Sequence, residues 1–133
     1  MDMEKIQTII KEFSTKRDWE KFHNPKNLAM ALSVEASELV EIFQWLDLEQ
    51  AQNLSADKKN HAKEEIADIA VYLIRMCMKL DIDLEEAIVE KMKKNEKKYP
   101  LIDENGNKIE YGKKKWEKYI LLDLMFLSKT QKI

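Results

Sequence analysis

Apolar residues return every three or four positions along most of this chain, the mark of amphipathic helices. Ile6, Ile9, Ile10 and Phe13 define a first helix over about residues 2–17. A polar and aromatic connection over 17–23 leads to Asn24, which reads as an N-cap, with Pro25 at the first helical position, where the missing amide hydrogen costs nothing. The spacing predicts a second helix from there to about Leu46. After a polar stretch over 47–57, Ser55 or Asp57 can cap a third helix that reaches about Leu80. Asp83, with Glu86 three places on, resembles a capping box opening a fourth helix, which Pro100 ends by disfavouring helical backbone in the residue before it. Beyond Pro100, Asn105-Gly106 sits between short apolar positions and predicts a small hairpin or ordered loop over 102–109. Residues 113–129 carry Trp116, Tyr119, Ile120, Leu124 and Leu127 at helical spacing and are expected to form an extra helix. The expected fold class is all-α: a four-helix core bundle over 1–100 and a C-terminal extension over 101–133, together one domain.

Composition agrees with that pattern. The 133 residues include only two glycines and two prolines, and their 44% hydrophobic content suffices for one core. A net charge of -2, from 23 basic and 25 acidic residues, supplies no field to draw in a nucleic-acid backbone. No apolar stretch approaches the length of a signal core or a membrane span, so the expected location is the cytoplasm, with no membrane partner. Cys77 is the lone cysteine, which rules out an internal disulfide and suits a buried position.

The chemistry is signalled by acids where apolar side chains belong. Leu28, Leu32, Leu39, Ile42 and Leu46 fall on one stripe of the second helix, with Glu35 at its centre and Glu38 on its shoulder beside Ala31 and Trp45. The third helix is apolar on almost every side from Ile66 to Met78, as expected of a segment enclosed by other helices or a second subunit, except at Asp68, Tyr72 and Arg75. Glu65 lies one turn before Asp68, and Glu65, Asp68 and Tyr72 share a sector. Either carboxylate pair alone would be an ordinary solvated face in a chain with 36% charged residues. Two pairs on neighbouring core helices repel one another unless protonated or neutralised by a cation. Oxygen donors without cysteine or histidine favour Mg²⁺, with Mn²⁺ as a substitute, and Mg²⁺ completes its octahedron with phosphate oxygens. A di-iron bundle needs glutamate followed three residues later by histidine, whereas His61-Ala-Lys-Glu64 is in reversed order, and His61 reads as a surface residue.

The fourth helix adds Lys91 and Asn95, one turn apart among Leu84, Ile88 and Met92, suited to neutralise and hydrogen-bond phosphate oxygens. Trp19, Phe22, His23 and Trp45 offer flat faces for a nucleobase, although core packing explains them as well.

Four ordered segments then carry a family resemblance: Arg17-Asp-Trp-Glu-Lys-Phe-His-Asn-Pro-Lys-Asn-Leu28, Glu35-Ala-Ser-Glu-Leu-Val-Glu-Ile-Phe-Gln-Trp45, Glu65-Ile-Ala-Asp-Ile-Ala-Val-Tyr-Leu73 and Lys91-Met-Lys-Lys-Asn-Glu-Lys-Lys-Tyr-Pro100. The chain resembles the MazG-like all-helical nucleotide pyrophosphohydrolases, particularly their dCTP pyrophosphatase branch, over about residues 4–100. The resemblance implies hydrolysis of a nucleoside triphosphate to monophosphate and pyrophosphate, with Glu35, Glu38, Glu65 and Asp68 as the Mg²⁺-binding set. It makes Lys91 and Asn95 phosphate contacts and Tyr72 a site residue, and it places Trp19 and Trp45 around the base, with His23 in the same shared segment. Among the carboxylates it leaves Glu38, or Glu35, to act as general base, and it implies a homo-oligomer, a tetramer of two dimers before a simple dimer. One departure concerns specificity: dCTP-cleaving members place a first-helix histidine near the base, where this chain has Ile10. A non-catalytic nucleotide or metal sensor and a structural adaptor are the alternatives at this stage.

Overall fold

The computed structural model describes residues 1–112 of the chain. Four long helices carry it: α1 (Met3–Lys16), α2 (Pro25–Phe43), α4 (Ala56–Leu80) and α5 (Leu84–Lys98), with a short α3 (Leu48–Gln52) between α2 and α4. The all-α class follows directly from these elements.

Each start has a chemical cause. The Asp2 side chain accepts from the Lys5 amide, Asn24 from that of Asn27, and Ser55 from that of Lys58, so each cap satisfies an amide that the helix itself leaves unpaired. Pro25 occupies the first turn of α2, as its sequence position predicts. Helix α4 stops at Asp81, whose left-handed backbone (φ 54°) returns its amide to the Cys77 carbonyl.

Two local features depart from the sequence expectation. The stretch over 47–57 is not uniformly loop, because Asp47 and Gln50 form a reciprocal capping box that starts α3. Helix α2 ends at Phe43 rather than Leu46, which leaves Trp45 beyond the helix and 87% exposed.

The described residues divide into two compact units, one over Met1–Leu84 and one beginning at Glu85. In the first, α2 and α4 form the main helix pair and α1 packs on α4. Leu28, Ile42, Ile10, Ala62, Ile74 and Cys77 are buried there, and Cys77 is a free thiol. Helix α4 is less enclosed than its apolar circumference predicts, since Ile66 is 55% exposed and Leu73 38%. In the second unit, the turn at 102–109 forms as expected, with an isolated antiparallel bridge between Ile102 and Lys108. Its mechanism differs from a mirror-image Asn-Gly turn, because Gly106 (φ 78°) is left-handed and Asn105 is not. The Asp103 side chain holds the turn instead, accepting the amides of Asn105 and Asn107, both at 2.9 Å. The extra helix expected over 113–129 lies outside the described residues. No helix among the described residues is long and apolar enough to cross a membrane.

Candidate functional site

The pairing of α2 with α4 decides where the carboxylates go. Glu35 and Glu38 lie one turn apart on α2, Glu65 and Asp68 one turn apart on α4. Across the pair, one carboxylate oxygen each from Glu35, Glu38 and Glu65 lies within 4.8 Å of the others. Asp68 is not part of that tight group but belongs to the same field. The Glu35 carboxyl is pushed up to about 7, first by burial, then by a hydrogen bond with Glu38, then by the negative charges of Glu38, Asp68 and Glu65. Without a cation, Glu35 therefore holds its proton up to about pH 7, hydrogen-bonded with Glu38.

Burial grades the four acids. Glu38 and Asp68 are exposed, Glu35 is half-buried, and Glu65 is only 8% exposed. The Glu65 Oε1 atom lies 3.1 Å from His61 Nε2, while its buried Oε2 has no hydrogen-bond partner. An orphaned buried oxygen on Glu65, in a cluster of three carboxylates, suits a hard divalent cation. His61 is surface-exposed, as its sequence context indicates, yet it touches one of these acids; the i, i+4 spacing of His61 and Glu65 was the available signal.

A cleft of about 400 Å³ lies along the α1 face of α4. Its lining includes Asp68, Tyr72 and Arg75 from α4, Ile10 and Phe13 from α1, and Trp19 and His23 from the connection. The 3–4–3 spacing of Glu65, Asp68, Tyr72 and Arg75 runs this face from acid, through phenol, to cation. Trp19 meets Phe13 edge-on at 5.6 Å between centroids and His23 at 6.2 Å, which builds an aromatic wall. His23 is held below its usual pKa, chiefly by burial and then by the nearby Arg75 charge, so its ring is neutral at neutral pH; its buried Nδ1 has no partner. Ile10 makes its stretch of wall apolar.

The wall is anchored by a charge network that the sequence did not reveal. Arg75, 4% exposed, donates from Nη1 to the Ile10 carbonyl (3.1 Å) and from Nη2 to Glu20 Oε1 (2.6 Å). Lys79, one turn on, donates to Glu20 Oε2 at 2.8 Å. Two cations four residues apart on an apolar helix hinted at an acidic partner, but Glu20 lies 55 residues away in sequence from Arg75. Hydrogen bonds to Lys79 and Arg75 hold the Glu20 carboxyl below its ordinary value of 4.5. A depressed carboxyl adds stability above about its unfolded pKa and loses it as pH falls through the folded value. Because Glu20 is partly solvated, Glu20→Ala is expected to cost only about 1–2 kcal/mol, from leaving buried Arg75 short of an acceptor. Urea denaturation at pH 7 checks this, and the difference from the parent should shrink towards pH 3.

The remaining sequence candidates sit elsewhere. Trp45 is not among the residues lining this cleft and stands in solvent past the end of α2. Lys91 and Asn95 are carried by α5 in the second unit, Lys91 exposed and Asn95 half-buried with Nδ2 3.8 Å from Met92 Sδ. No residue of α5 is fully buried, so the inner side expected for Ile88 and Met92 is instead exposed among the described residues.

The class defined by these features is an all-helical chain with an acidic cluster, built from two carboxylate pairs on adjacent helices, that could hold a cation. The MazG-like family model matches residues 30–113, and the chain belongs to that family. It is 37% identical over 111 residues to dCTP pyrophosphatase 1 of Mus musculus, covering 82% of this chain and 65% of that protein. To dCTP pyrophosphatase 1 of Homo sapiens it is 39% identical over 100 residues, 74% of this chain and 59% of the other. The matched region thus spans under two thirds of the length of these relatives. A crystal structure of a pyrophosphatase from Archaeoglobus fulgidus superposes with a TM-score of 0.71 at 42% identity, over 75% of this chain and 94% of that one.

Proposed function

We propose that this protein is a Mg²⁺-dependent nucleotide pyrophosphohydrolase that cleaves a deoxynucleoside triphosphate, with dCTP or a modified dCTP as first candidate, to the monophosphate and pyrophosphate. The observation that carries the proposal is the convergence of Glu35, Glu38 and Glu65, with Asp68 contributing to the field at Glu35. Such an arrangement is strained for folding alone and is relieved by a cation. The dCTP pyrophosphatases among its relatives support the substrate class.

In this reading Glu35, Glu38, Glu65 and Asp68 hold the cation, with Mn²⁺ an acceptable substitute. Bound Mg²⁺ supplies Lewis acidity, drawing charge from the triphosphate oxygens. Glu38 accepts a proton from a water whose oxygen attacks the α-phosphorus as the bond to the β-phosphate bridging oxygen breaks. Its exposure leaves room for that water. Lys91 and Asn95 on α5 are the proposed phosphate contacts by family resemblance, a cation and an amide donor suited to phosphate oxygens. Tyr72 lines the cleft beside Asp68, Trp19 and His23 flank the nucleobase, and Trp45, exposed past the end of α2, is assigned to the base by the family resemblance alone. With Ile10 in the wall in place of a hydrogen-bonding side chain, cytosine is read by fewer polar contacts, which broadens the tolerance for substituted pyrimidines.

Exposed Ile66 and Leu73 on α4 support a homo-oligomer, for which we favour a tetramer of two dimers. The buried free thiol of Cys77 suits the reducing cytoplasm. The test is to incubate the protein with Mg²⁺ and each common and methylated dNTP, then separate the products. Monophosphate and pyrophosphate in equal amounts are expected, most rapidly from cytosine nucleotides. Diphosphate with inorganic phosphate would defeat the proposed cleavage, and stoichiometric binding without product would establish a sensor instead.

A further inference from the structure

The geometry points to His61 as the residue that positions Glu65 for the cation, an inference that rests on the metal-holding role proposed above. Glu65 is the most buried of the four acids, and its two oxygens have different fates. Oε1 lies 3.1 Å from His61 Nε2, an ion-pair contact, and Oε2 is buried without a partner among the described residues. A polar neighbour at one oxygen biases the orientation of the carboxylate and with it the direction of the buried oxygen. One Glu65 oxygen lies within 4.8 Å of an oxygen each of Glu35 and Glu38. An imidazole carrying a proton on Nε2 can donate at this distance.

Placement supports the assignment. His61 precedes Glu65 by one helical turn on α4, so the holding group rides on the same rigid element as the ligand and moves with it. Its side chain is 58% exposed, so it adds little to the packing of the core. A surface pair at this spacing acting only on the helix would alter melting slightly and leave metal affinity unchanged. A positioning residue does the reverse, because the loss falls on the bound state.

Three variants separate the roles: His61→Ala, His61→Leu, which keeps bulk without a donor, and His61→Gln, whose side-chain amide can donate where Nε2 did. Each is melted at pH 7.5, metal-free and across a Mg²⁺ titration, and the Mg²⁺ concentration giving half the maximal stabilisation is read. The expected result is a rise of about tenfold in His61→Ala and His61→Leu, with His61→Gln within about twofold of the parent, as for loss and replacement of an outer hydrogen bond to a ligand. Metal-free melting should be almost unchanged in all three. A parent that responds to Mg²⁺ alongside donor-less variants with the same half-point overturns the role of His61 alone. A parent without any Mg²⁺ response overturns the metal-holding role of the acids and this inference with it. Should the alanine variant fail to fold, the leucine variant decides the matter.

Discussion

Glu35→Gln and Asp68→Asn should each lower kcat/KM by about 10³-fold, the scale on which single charged groups act at a preorganised site, while leaving the metal-free fold as stable as before or more so. The two halves of this result share one cause. Glu35 is destabilised in its ionised form by burial and by three neighbouring acids, so an amide of nearly the same volume removes a repulsion. Asp68→Asn removes one of the charges that Glu35 feels, and Asp68 is exposed, so no core contact is lost. Carboxylates that served only the fold would behave oppositely, with lower stability and intact turnover. Purified variants compared by pyrophosphate release and by thermal melting without metal distinguish the cases, and normal turnover in both variants refutes the catalytic assignment. A gain in stability on loss of function marks residues kept for chemistry at the expense of the fold.

The acids were legible because the rule they break is local. Glu35 interrupts an apolar stripe whose period is fixed by the helix, and Glu65 and Asp68 stand out on an otherwise apolar segment. Helix starts were legible for the same reason, since Asn24-Pro25 and Ser55 act within one turn of themselves. The failures have equally definite causes. Helix α3 has five residues, too few for periodicity to register, and only the Asp47–Gln50 capping box signals it. Trp45 was placed by extending the α2 stripe two residues past its real end at Phe43, and the aromatic ring consequently points to solvent rather than along the Glu38 face. Glu20 and Arg75 could not be paired from sequence, because that bond exists only once α1, the connection and α4 are packed. The Glu65 oxygens illustrate the limit most sharply. Spacing puts His61 beside Glu65, but which oxygen stays unpartnered depends on how α2 lies against α4.

Mg²⁺ affinity should therefore depend steeply on pH, with its break near the Glu35 value of about 7. The sign follows from which form of the protein holds the proton. Glu35 rises from 4.5 to about 7 on folding, so between those values the folded chain binds more protons than the unfolded one. Stability of the metal-free protein from this group is thus fully present below about 4.5 and declines as pH rises through about 7. A cation cancels the trend, because it binds the ionised carboxylate and must displace that proton. Below the break, each pH unit should raise the apparent dissociation constant about tenfold for one proton released, and above it the constant should level off. Stabilisation at fixed Mg²⁺ then grows with pH, as mass action requires. The melting temperature from pH 5 to 8 should fall with pH in the metal-free protein and lose that slope at saturating Mg²⁺. Calorimetry near pH 6 in two buffers of different ionisation heat should count about one proton released per binding event. In Glu35→Gln that proton and the pH dependence it causes should disappear. A dissociation constant flat from pH 5.5 to 7.5 in the parent would mean that Glu35 does not face the cation, and the acidic cluster would then need another explanation.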